Sequence, residues 1–172
     1  MKKLIYLFVA VVFATQAFAQ NFDAIKKSKE RMEKLFSLEV PKPCGLSKVD
    51  DLTNESEKIV QSLKTNSLLL YKYYYSVAGK TELGEDYTEG IIPTPAELTT
   101  LSQAIKEEPA AIKKVSSLLP EATKEMKTIK NPMKLKAVNK SLKYSQEVIT
   151  LATEEHTAQF ELIIELVGKV TK

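Results

Sequence analysis

His156 and Cys44 are the only histidine and the only cysteine in the 172-residue chain, and they bound its chemistry at once. A His-based triad, a zinc site or a di-iron bundle needs several such side chains together, and the second one does not exist. Covalent haem attachment needs a Cys-x-x-Cys-His run, which is absent. Carboxylates are plentiful but scattered. Glu154 and Glu155 point in different directions on a helix, while Glu161 and Glu165, like Glu121 and Glu125, are one turn apart, a spacing ordinary on solvated faces. The stretch from Glu82 to Gly90 offers oxygen ligands without the Asp-x-Asp-x-Asp-Gly spacing and bidentate glutamate of a calcium loop. No glycine-rich phosphate loop and no Gly-x-Ser-x-Gly elbow occurs. The expectation is a protein that is not an enzyme, with no cofactor, no metal and no catalytic residue.

What remains is polar, aromatic and basic side chains at helical spacing. His156 shares an inward row with Ser145 and Gln159, and Asn66 on an earlier helix can face them; such a polar core layer fixes helix register. Leu68, Tyr71 and Tyr75 fall opposite the apolar row Ile59, Leu63, Leu70, Tyr73 and Val77, which marks them as a candidate partner or ligand face. Lys124, Lys127, Lys130, Lys134 and Lys136 form a candidate patch for an anionic surface, an envelope lipid or a polysaccharide. Nucleic acid is not expected, because phosphate recognition favours the planar guanidinium and Arg31 is the only arginine. Cys44, in Pro41-Lys42-Pro43-Cys44-Gly45, has no partner within the chain. It reads as an intermolecular thiol or as a small apolar residue in the core.

These residues must be positioned by helices. Sustained polar and apolar alternation is missing, and helical periodicity runs through the chain outside two loops. A first helix is predicted over 23–38, with Phe22, Ile25, Met32, Leu35 and Phe36 on one face, followed by a linker to Leu52. Asn54 and Glu57 form a capping box that would open a second helix, and Gly79 would close it. After an acidic loop, Thr94, Pro95 and Glu97 start a third helix, expected to be interrupted at Pro109 and again at Pro120. Asn131 and Pro132 open the last. There Leu135, Val138, Leu142, Ser145, Ile149, Ala152, His156, Gln159, Ile163, Leu166 and Val170 follow spacings of three and four without a slip. The expected fold is all-α, an irregular antiparallel bundle of four to five helices with a proline-interrupted third segment. The long C-terminal helix is its spine, with the second helix as antiparallel neighbour.

Met1, Lys2 and Lys3, the apolar run from Leu4 to Phe18 and the Ala17-Phe18-Ala19 site read as a signal peptide cleaved before Gln20. The run is shorter than the ~20 residues a spanning helix needs, so no transmembrane segment is expected in the mature chain. Residues 20–172 then form one domain in the periplasm or the exterior. Loss of two lysines takes the formal charge from +3 to +1, but the charge is blocked: 79–108 carry −5 and 109–144 carry +7. The functional expectation is an exported, non-enzymatic interaction or structural module of the cell envelope, partnered by another envelope protein, by itself or by an anionic envelope component. The alternative is a carrier holding a small apolar or sugar-like ligand between helices, lined by Tyr73, Tyr74, His156 and Gln159.

Overall fold

A computed structural model describes residues 22–88 and 90–170; the predicted signal peptide and its cleavage site lie outside them. Four helices make up the described chain: α1 (22–37), α2 (Ser47–Ala78), α3 (Pro95–Met126) and α4 (Pro132–Val170). The expected all-α bundle with a long C-terminal helix is the observed one. At ~1.5 Å per residue, the 39 residues of α4 span roughly 58 Å.

Two apolar clusters fix the directions of the helices. One gathers Met32 and Leu35 of α1, Val49 to Leu63 of α2, Ile112 to Ala122 of α3 and Val138 to Ala152 of α4. The other gathers Ile25, Leu70 to Tyr75, Leu98 to Ile105 and Leu162 to Leu166. Residue numbers therefore rise in α2 and α4 where they fall in α1 and α3, giving an up-down-up-down bundle. Consecutive helices are antiparallel, but α2 and α4 run parallel, against the pairing expected from sequence. The reason is α3: it spans the bundle as one rod and returns the chain to the end from which α2 set out.

α3 was expected to break at Pro109 and Pro120; instead it runs through both. Each proline is exposed, so its ring stands on the solvent side of the helix, and the amide donor it lacks is lost to the carbonyl four residues before it, on Ile105 and Ser116. The opposite face buries Leu98, Leu101, Ile105, Ile112 and Val115. Burial of these side chains, ~1.5–3 kcal/mol each, exceeds the ~3 kcal/mol that an interior proline costs. The start of α3 is as predicted. The Thr94 hydroxyl accepts from Glu97 N, and the Glu97 carboxylate accepts from Thr94 N at 2.7 Å.

α2 begins at Ser47, so the Asn54–Glu57 pair lies inside the helix and caps nothing. Its true start has no side-chain cap of its own at Leu46. Glu125, from the end of α3, accepts from Lys48 N (2.9 Å) and Val49 N (3.4 Å). The Asp50 carboxylate accepts from Cys44 N (2.8 Å) and Gly45 N (3.0 Å), folding the linker back on the first turn. At the other end Gly79, at φ 69°, gives its N–H to Tyr75 O, as predicted. The following loop returns across α2 at Gly90, where any Cβ would meet the Ser76 hydroxyl at 1.9 Å. α4 opens on Asn131, whose Oδ1 accepts from Met133 N at 2.9 Å.

α4 is unbroken, but its deepest row is displaced from the predicted one. Val138, Ser141, Ser145, Val148, Ala152, Glu155, Gln159, Leu162 and Leu166 are all buried. At every second step the central position is one residue earlier than expected: Ser141 for Leu142, Val148 for Ile149, Glu155 for His156. Leu135 and Phe36, both assigned to the core, are exposed.

Candidate functional site

The displaced row places a carboxylate at the centre of the bundle. Glu155 is fully buried between the two apolar clusters. Its Oε1 accepts from the hydroxyls of Ser28 on α1 and Ser67 on α2, the latter at 2.9 Å, and its Oε2 accepts from Arg31 Nε at 3.0 Å. Each serine has one proton and spends it on Glu155. Ser28 must then accept from the Tyr71 hydroxyl, and Ser67 from Gln159 Nε2 at 2.6 Å. Donation converges from both sides on one buried anion, with the sole arginine as its counter-charge.

A second carboxylate lies beside it. Glu108 of α3, also buried, accepts from Asn66 Nδ2 at 2.7 Å and faces His156 Nδ1 at 3.0 Å. Burial pushes both carboxyls above the ordinary range. Ser28, Arg31 and Ser67 oppose this at Glu155; Asn66 and His156 oppose it at Glu108, where the Glu155 charge adds to the rise. Tyr71 is pushed up to about 12, chiefly by burial and then by the Glu155 charge, so it stays a donor.

Of the predicted polar layer, the structure brings Asn66, His156 and Gln159 together. Ser145 is buried about 15 Å away along α4, with its hydroxyl unpartnered among the described residues. Sequence reasoning missed Glu108, Ser28, Arg31 and Ser67, and passed over Glu155. The available signal was the three-four continuation of the α4 row through Ser141 and Val148 to Glu155. A carboxylate-held imidazole is a general-base geometry, but no hydroxyl or thiol among the described residues is hydrogen-bonded to His156. Among the described residues no three His, Cys, Asp or Glu side chains are grouped to hold a metal ion.

The candidate tyrosine face is not a free surface. Leu68 is exposed, but Tyr71 and Tyr75 are buried. α1 and the acidic loop cover them: Phe22 stacks on Tyr75 at 6.4 Å, Tyr87 meets it at 5.5 Å, and the Lys29 ammonium, ion-paired to Glu82, sits over both rings. Nor do the four residues assigned to a carrier cavity line one space. Tyr73 faces an open α2–α3 groove of ≈ 310 Å³, Tyr74 packs edge-on against Phe22, Gln159 belongs to the central layer, and His156 lies against Phe160.

The lysine patch is accessible and sits at one end of the bundle, on the last turn of α3, the connection and the first turn of α4. Lys124, Lys127, Lys130 and Lys136 are exposed and Lys134 is half-buried; none is ion-paired among the described residues. Met133, 78% exposed, projects among them. The two acids nearby are occupied, Glu121 by Lys48 at 3.2 Å and Glu125 by the amides that open α2. Cys44, also at this end, is half-buried against the apolar cluster, and burial followed by the neighbouring Asp50 pushes its thiol up. Among the described residues no helix is long and apolar enough to cross a membrane. Comparison with family models, curated proteins and solved structures finds no match to this chain.

Proposed function

We propose that this chain is an exported, non-enzymatic structural module of the cell envelope that docks by its lysine-rich end on an anionic phospholipid surface. The observation that carries the reading is the set of five lysines around exposed Met133, none ion-paired among the described residues, with both neighbouring carboxylates turned to other partners. Each lysine held near an anionic leaflet contributes ~1 kcal/mol, and an apolar side chain among them adds burial in the interface. The leader signature in residues 1–19 supports export to a compartment where such surfaces are available.

The test is co-sedimentation of the chain beginning at Gln20 with vesicles of phosphatidylcholine, alone or mixed with phosphatidylglycerol. Binding is expected only to the mixed vesicles, is weakened by salt, and is lost when Lys124, Lys127, Lys130, Lys134 and Lys136 are replaced by Gln. Equal binding to both vesicles, unchanged binding by the substituted protein, or binding to anionic polysaccharide without binding to vesicles overturns it.

A further inference from the structure

Beside the lysine-rich end, the flank where α1 ends against α4 carries an elongated groove. Two adjoining hollows of ≈ 520 and ≈ 500 Å³ share Leu38, Lys143 and Glu147, so they form one trough. It follows α4 from Ala137 to Leu151, about 21 Å at helical rise. Leu38, Ala137, Tyr144 and Leu151 supply an apolar lining. Lys34, Lys42, Lys140 and Lys143 stand along the edges, all exposed and none ion-paired among the described residues; Glu39 and Glu147 are the opposing charges, leaving an excess of two positive.

An elongated trough with an apolar strip between mainly cationic edges fits a linear hydrocarbon chain ending in an anion better than a compact ring system or a neutral lipid. We propose that the α1–α4 groove binds one long-chain carboxylate, its chain against Leu38, Tyr144 and Leu151 and its headgroup toward Lys42, Lys140 and Lys143. This deepens the reading of the adjacent end, on which it rests for the source of the ligand: a module held at a lipid surface meets such amphiphiles there. The site lies outside the bundle core, so the carrier geometry expected between the helices is replaced by one on the flank.

Calorimetric titration of the chain beginning at Gln20 with laurate below its micelle concentration tests it, with methyl laurate as the uncharged control. One laurate per chain is expected, with binding at least roughly tenfold weaker for the methyl ester and for the K140Q/K143Q double variant, whose exposed positions leave the fold intact. Ala137→Trp, which fills the end of the trough nearest Lys140, weakens binding. Absence of laurate binding, equal binding of the ester, or undiminished binding by K140Q/K143Q overturns the proposal. The variant with Lys124, Lys127 and Lys130 replaced by Gln separates the two readings: it keeps laurate binding when the groove is the site, whatever happens to its vesicle binding.

Discussion

The central layer and the α3–α4 end are built from similar residues, glutamates against basic side chains, and treat their charges in opposite ways. In the middle, Glu155 takes three donors and Glu108 two polar partners. At the end, five lysines stand with no carboxylate on them among the described residues. Charge withdrawn from water must be matched by local hydrogen bonds and a counter-charge, whereas charge left in water needs no partner and stays available to one from outside. The middle therefore reads as structural and the end as the part free to bind.

The largest effect that would test this contrast is at Glu155. Replacing it by Ala strands Arg31 and two serine donors, and urea denaturation is expected to show a loss of ~3–5 kcal/mol. A loss below ~1 kcal/mol would break the comparison, since any one of the lysine-to-Gln changes at the end should cost no more than ~0.5 kcal/mol.

A smaller effect sharpens it through pH. Both buried carboxyls have raised values in the folded state, so the native chain holds their protons more tightly than the unfolded chain does. Their contribution is fully present below the ordinary glutamate value of about 4.3 and is lost as pH rises through the folded values. Glu108→Gln should flatten this decline when unfolding free energy is followed from mildly acidic to neutral pH. A decline identical to that of the unsubstituted chain would show that Glu108 does not carry it.

The smallest effect concerns the start of α2 at the basic end. Glu125→Ala removes the cap of α2 and should cost ~1 kcal/mol, while Asn54→Ala, at the site of the sequence-predicted cap, should cost under ~0.5 kcal/mol. Comparable losses from the two would mean that α2 starts near Asn54 after all.

Much of the architecture was legible because it is written in local chemistry. Thr94-Pro95-x-Glu97, Gly79 and Asn131-Pro132 mark their helix ends through contacts within a few residues, and each holds in the structure. The α2 start was misread because a competing local signal, Asn54 with Glu57, resembled a cap, while the real one comes from Glu125, far along the chain. The buried positions Val49, Leu52, Thr53 and Ser56 did carry the earlier start, but half of them are polar. The polar layer was half legible for the same reason. Asn66 and Gln159 follow the seam, but a glutamate on a helix reads as solvated until two hydroxyls and a guanidinium from other helices are seen around it.

The sequence by itself determined that the chain is helical, where α3 and α4 begin, and that its last helix is one long rod, because caps and three-four spacing act within one or two turns. Tertiary structure alone decided that α3 continues through two prolines, that α2 and α4 run parallel, that Tyr71 and Tyr75 are covered, and that Glu155 rather than His156 occupies the centre. Those outcomes depend on which faces meet across helices, and the free energy of burying a face is defined only once its neighbours are in place.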